Sequence, residues 1–276
     1  MSIPAMILVT PLVTAGLSLL APNFAGPLTA AAQLLTLAFC GLLAQRVAAA
    51  GVSAAGWFYA DAVSAFMLLT LSLVTCTAAF YSAGYLKAAS GGAAGRARDL
   101  RRYYGQFNLF AFALLLTPLL SNLGLVWIAL ELTTLASVLL VGYENNARAV
   151  EAAWKYLIIS TAGAVLGLWG TVLLYYAAAH GSVPYAGLDW PALSRLAGGF
   201  DPQVMKLVLL LVLIGYGTKA GLAPMHTWLP DAHGEAPSPV SALLSGAKTS
   251  VSFYVVLRFY FLVLATLGPL AQKFML

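Results

Sequence analysis

Charge is what this sequence lacks most. Only 8% of its 276 residues are Asp, Glu, Lys or Arg, while 61% are hydrophobic and the mean hydropathy is +0.88. An ordinary soluble domain carries about 25% charge, so a water-soluble globular enzyme is excluded. Cysteine is nearly absent as well. Cys40 and Cys76 both lie inside apolar runs and are too few for a disulfide framework, a cysteine-rich metal site or a cysteine-ligated iron–sulfur cluster. Of the three histidines, His180, His226 and His233, no two face each other across mid-membrane positions as a bis-histidine haem requires. No cofactor is expected, and any electron transfer belongs to another subunit. The net charge of +5 is spread over loops and span ends without an aromatic-interleaved basic face, which argues against nucleic acid.

What is present in abundance is apolar runs, each long enough to cross a hydrocarbon layer of about 30 Å as a helix. Eight fit the pattern, over residues 3–20, 27–45, 62–87, 106–121, 123–142, 153–179, 204–222 and 239–267, the fourth short and holding Pro118. The fold class is therefore an all-α polytopic transmembrane bundle. The first run has no Lys or Arg before it, unlike a secretory signal, and reads as a retained span. Lys87, Arg96, Arg98, Arg101 and Arg102 cluster between spans three and four against Asp99, on the same side as Arg148. The opposite side offers only Arg46, Arg195 and Lys206. The positive-inside rule then puts the N-terminus outside the cytoplasm, in a cytoplasmic (inner) cell membrane. The Gly-rich stretch 90–95 and the stretch 181–202 read as connecting loops, and no short tandem repeat is visible.

Against this background the few charges at membrane depth stand out, because each costs at least about 2.5–3.5 kcal/mol unless a partner, water or a function offsets it. Glu131 is near the middle of span five, with Thr134 and Leu135 on its own helical face. It is read as a protonatable relay or switch, the alternative being a packing carboxylate. Lys219 lies deep in span seven, thirteen residues and so roughly 20 Å beyond Lys206. Pro224 comes five residues later and should break the helix just past the lysine, as transporters do where a broken helix lines water. Lys219 can load and release a proton if a carboxylate such as Glu131 moves towards and away from it; a static ion pair is the alternative.

Lys155 follows Glu144, Arg148 and Glu151 in one stripe at the start of span six. It is either part of a solvated face or a source of positive potential for Glu131 and a path for protons inward. Lys248, about 14 Å into the last span, should also be mid-membrane, behind a helix start at Ser238 and Pro239. Arg258 is expected to snorkel to the far interface, and Asp61, after Trp57, Phe58 and Tyr59, to anchor an aromatic belt. His226, His233, Asp231 and Glu235 cluster in HTWLPDAHGEA, but the spacing matches no trusted metal-ligand motif, so hydrogen bonds holding a proton entrance are the favoured reading.

The stretch TKAGLAPMHTWLPDAHGEAPSPVSALLSG resembles the span-seven-to-eight signature of the antiporter-like, proton-translocating subunits shared by respiratory complex I (NADH-quinone oxidoreductase), multisubunit sodium/proton antiporters and group 4 hydrogenases. The stretch ALELTTLASVLLVGYENNARAVEAAWKYLIISTAGAVLGLWGTVLLYY looks most like the F subunit of hydrogenase 4, and RRYYGQFNLFAF and DAVSAFMLLTL agree in kind. The resemblance runs from about residue 57 to 244. It implies that Glu131 and Lys219 are the ion pair of a half-channel, with Lys155 matching a span-six lysine. It also implies partners, namely other membrane subunits and a peripheral hydrogenase or dehydrogenase arm, with protons or alternatively sodium as the ion and lipid around the bundle. Two departures are visible. The family carries a titratable or amide side chain where Ser250 stands, and Lys248 comes two residues earlier, about 200° round an ideal helix, so that it faces the channel only if a π-bulge corrects the register. The family also has two inverted five-helix repeats. This chain is thus expected to divide into residues 1–105, three spans with a cytoplasmic basic loop, and 106–276, the first repeat, the second lying in a longer chain or another one. A sodium/proton antiporter subunit and a non-conducting scaffold remain as rival functions.

Overall fold

The computed structural model describes residues 2–89 and 93–273, with only the backbone described for residues 88, 89 and 93–97. The expected role of Arg96, and of residues 90–92 in the Gly-rich stretch, falls outside what is described. The chain is helical almost throughout: α1 (Ile3–Leu20), α2 (Ala25–Ala50), α3 (Ala62–Ala89), α4 (Ala93–Leu116), α5 (Leu123–Val141), α6 (Ala147–Ala179), α7 (Trp190–Leu196), α8 (Pro202–Ala220), α9 (Trp228–Glu235), α10 (Ser238–Leu243), α11 (Thr249–Leu267) and α12 (Pro269–Lys273). A small antiparallel hairpin, β1 (Ser53–Ala55) and β2 (Phe58–Ala60), turns at Gly56 between α2 and α3.

Among the described residues seven stretches, not the expected eight, are long and apolar enough to cross a membrane, among them α10 and α11 taken together as Ser238–Leu267. The fourth expected span corresponds to α4. Its first half carries Arg98, Asp99, Arg101 and Arg102, so the basic residues expected in a loop ride on a helix that continues into the apolar stretch. The stretch 181–202, expected to be a plain loop, contains α7, which starts on Trp190 and Pro191 as a proline-initiated turn.

Sequence chemistry fixes the helix ends. Asn122 caps α5 by accepting the N–H groups of Gly124 and Leu125, Asn146 caps α6 through Ala149, and Asp201 caps α8 through Gln203 and Val204 with Pro202 at the first helical position. Glu144 precedes the Asn146 cap, so only Arg148, Glu151 and Lys155 of the expected charged stripe are on α6. The last span begins one residue before the expected cap: Pro237 occupies the cap position and its carbonyl accepts the N–H groups of Val240 and Ser241.

In lipid no hydrophobic effect drives helix against helix, so close backbone approach and hydrogen bonds decide the packing. The pair α6 and α8 shows this most sharply. Gly163 and Gly167 of α6 face Gly215 of α8 so closely that a Cβ on Gly215 would lie 2.2 Å from the Gly167 nitrogen and 2.8 Å from the Gly163 carbonyl. Tyr216 lies against Gly167, and its hydroxyl is 2.8 Å from Thr171 Oγ1. Trp127 of α5 donates to the Ala164 carbonyl of α6 at 2.9 Å, which ties the third helix of the group. The N-terminal helices are joined instead by buried amides, with Gln33 donating to Asn108 and Asn108 to Thr29.

Candidate functional site

Lys219 is on the last turn of α8, where helix carbonyls favour a cation. The helix stops one residue later, as the sequence pattern predicts, but Gly221 is the residue that stops it. Its φ of +79° suits glycine, and the Leu222 N–H closes the end on the Gly217 carbonyl at 2.9 Å. The Thr218 carbonyl accepts the indole N–H of Trp228 at 2.8 Å, so the break is satisfied from within the protein. Pro224 and His226 lie on the exposed connection from α8 to α9.

The fully buried Lys219 ammonium lies 2.7 Å from Glu131 Oε1 and donates to Thr134 Oγ1 at 2.7 Å. Glu131 keeps 17% of its side chain exposed. Three residues along α5 from Thr134, Ser137 Oγ is 2.6 Å from the hydroxyl of Tyr156, a fully buried residue of α6. The Tyr156 ring packs on Trp228 at 4.9 Å between centroids, and Lys248 Nζ sits over both rings, 4.3 Å from Tyr156 and 3.9 Å from Trp228. Lys248 is also fully buried, and among the described residues its ammonium has no hydrogen-bond partner. A lysine so placed is held by ring faces alone, a weak substitute for water.

A π-helical turn at Leu244–Lys248 brings Lys248 to this position. The extra residue in the turn shifts the helical register by about 100°, and Lys248 is buried within the bundle. Ser250 instead bonds back to the Gly246 carbonyl of its own helix at 2.9 Å.

His233 on α9 stands at the next step. Its Nε2 is buried without a hydrogen-bond partner among the described residues, and both burial and the nearby Lys248 charge hold its pKa below the ordinary histidine value. On the other face of α9, Asp231 pairs with Lys155 at 3.0 Å, and Lys155 pairs with Glu151 at 2.7 Å. Arg148, Glu151, Lys155, Asp231 and Glu235 line an open polar cleft of about 240 Å³. The side chain of Lys155 is half exposed, and its ion pairs are to these two carboxylates and not to Glu131.

One expected role is overturned. Arg258 does not snorkel: it is 4% exposed and forks onto Asp61, Nη1 to Oδ2 at 2.8 Å and Nη2 to Oδ1 at 2.6 Å. It also donates to Tyr254 and Ser64 and stacks 4.1 Å from the Trp190 ring. Its planar fork matches a carboxylate better than it matches open lipid headgroups. Asp61 is accordingly a partner as well as an aromatic-belt residue. Burial pushes its carboxyl pKa up, but hydrogen bonds from Arg258 and the Ser64 N–H more than offset this and hold it below the usual carboxylate range.

Tyr156, Trp228 and Ser137 do not stand out in the sequence, because aromatic and hydroxyl residues near span ends are ordinary there. The available signal is the adjacency of Tyr156 to Lys155 and of Trp228 to the helix break.

The arrangement defines a class: a multi-pass helical membrane protein with a lysine–glutamate pair at a broken span and a second buried lysine beyond it. Residues 121–276 match the model of the NADH:quinone oxidoreductase/Mrp antiporter transmembrane family, and the chain belongs to that family. A hydrogenase-4 component F homolog from Methylacidiphilum infernorum is 35% identical over 211 residues, covering 76% of this chain and 44% of that protein. A chain of the archaeal membrane-bound sulfane sulfur reductase superposes with a TM-score of 0.83 at 21% identity, over 99% of this chain and 56% of its own. A chain of respiratory complex I from Thermus thermophilus with bound aureothin gives 0.72 at 24% identity, over 93% and 52%. These two likenesses establish the fold. The present chain spans about half the length of the proteins it matches.

Proposed function

We propose that this chain is a proton-translocating membrane subunit of a redox-driven complex of the hydrogenase 4 or NADH-quinone oxidoreductase type, in a cytoplasmic membrane with the N-terminus outside. One observation carries the reading: at a broken span, a fully buried lysine meets a carboxylate at 2.7 Å, while a second buried lysine, over the Tyr156 and Trp228 rings, has no hydrogen-bond partner among the described residues. Two lysines and one carboxylate at membrane depth make a set of groups among which a proton can be passed, because holding every one of them charged there is costly. Thr134, Ser137 and Tyr156 connect the two lysines through hydroxyls and a ring face. Protons enter from the cleft at Lys155 and Asp231, pass His233 to Lys248, and reach Lys219, whose pairing with Glu131 opens and closes as the partner arm turns over. His226, Pro224 and Ser250 act only in shaping the connection and the last span. Residues 106–276 form one five-helix repeat in this reading and 1–105 an N-terminal addition. Support comes from the family membership and from the named relative.

The test is proton movement by vesicles holding the assembled complex, with Glu131→Gln and Lys219→Ala. Both variants are expected to abolish movement driven by the electron donor while the complex still assembles. Unchanged movement with intact assembly leaves only a scaffold, and movement that tracks a sodium gradient without a donor leaves an antiporter.

A further inference from the structure

Where the hairpin leans on the start of α5, two cavities meet. One, of about 560 Å³, is walled by apolar side chains that include Leu116, Leu120, Ile128 and Leu132. The other, of about 460 Å³, is lined by Ser121, Asn122 and Asp189. Gly56, Trp57 and Leu125 line both, so together they form one cleft with a polar mouth and an apolar floor. Along α5 the lining runs from Asn122 to Leu132, roughly 15 Å of helix, which is the hydrocarbon depth of a single leaflet. Trp57 on the rim is 73% exposed, as an aromatic side chain is at headgroup level.

The mouth has a sign. Asp189 accepts one hydrogen bond on each oxygen, from Ser121 Oγ at 3.0 Å and from the Tyr185 hydroxyl at 3.1 Å. A carboxylate offers about four acceptor positions, so roughly two remain. Among the described residues no cationic side chain forms an ion pair with it. The geometry points to a seat for an aminophospholipid, one acyl chain lying along α5 and the primary ammonium of the headgroup donating to Asp189. A choline headgroup has the charge but no N–H to give, and a glycerol headgroup has hydroxyls to donate but no positive charge to offset its phosphate beside a carboxylate.

Native mass spectrometry of the purified complex, equilibrated with equimolar phosphatidylethanolamine, phosphatidylcholine and phosphatidylglycerol, tests this. Phosphatidylethanolamine should be retained about tenfold over the other two, the value of one charge-assisted hydrogen bond. Asp189→Asn should erase the preference. Ile128→Trp, which fills the apolar floor from its exposed edge and leaves the polar anchors alone, should lower retention of the bound lipid, and it decides the matter if Asp189→Asn does not assemble. Equal retention of the three lipids by the native complex, a preference that survives Asp189→Asn, unchanged retention in Ile128→Trp, or no lipid retained at all each overturns the proposal. None of these readouts depends on proton movement.

Discussion

Two buried ion pairs are found among the described residues, and they are built to opposite ends. At Asp61–Arg258 four of the five guanidinium donors are used: two bonds to the carboxylate, one each to Tyr254 and Ser64, with a tryptophan face beside it. Arginine does not deprotonate in proteins, so the cation of that pair cannot pass a proton on. At Glu131–Lys219 the ammonium has a single carboxylate oxygen and one hydroxyl, next to a lysine that has neither. The same two charge types thus yield a fastener in one place and a site able to change protonation in the other. The difference comes from the cation chosen and from how completely its donors are filled.

Exchanging the cations is the sharpest way to break that comparison. Lys219→Arg keeps the charge and removes the titration, and donor-driven proton movement in vesicles should fall to the level of vesicles without the complex while assembly persists. Asp61→Ala leaves Arg258 buried without its anion and should cost about 3–5 kcal/mol, read as a lowered Tm of the solubilised complex. Arg258→Lys keeps a cation but loses the fork and should cost about 1.5–3 kcal/mol by the same measurement, with proton movement per assembled complex unchanged. Gly215→Ala pushes a methyl into the α6 backbone and should cost about 1–3 kcal/mol.

The smallest effect is one of pH. The folded pKa of His233 is depressed, so on acidification the separated helices take up a proton that the folded state refuses. Stability is therefore full above the ordinary histidine value of 6.5 and falls as pH drops from there towards the folded value. His233→Gln should flatten the Tm difference between pH 7.5 and pH 5.5. Asp61 does not confuse this window, since its depressed pKa places its loss of stabilisation below the ordinary carboxylate value of 3.8.

The spans and the lone charges within them are legible in the sequence because a charge in an apolar run is costly and so conspicuous. Glu131, Lys219 and the break after Lys219 can be read for that reason. What cannot be read is pairing across distance. Arg258 has the look of a residue reaching for the interface because its partner lies 197 residues earlier, and only packing brings α3 to α11. Lys155 and Asp231 meet because α9 folds back over α6, which helical periodicity does not encode. The orientation of Lys248 hangs on a single π turn, a local choice that residues 244–248 do not announce. The spacing of Gly163 and Gly167 is of the kind that permits close helix contact, but nothing in it names Gly215 as the partner.

That glycine contact bears on what can move. With the backbones of α6 and α8 in contact at Gly163, Gly167 and Gly215, and Tyr216 and Thr218 seated against those glycines, sliding one helix past the other would drive backbone into backbone, so the two move together. Any stroke that parts Lys219 from Glu131 is then a displacement of α5, or a swing of the lysine chain about its own torsions, beside the Thr218 carbonyl that the Trp228 indole holds.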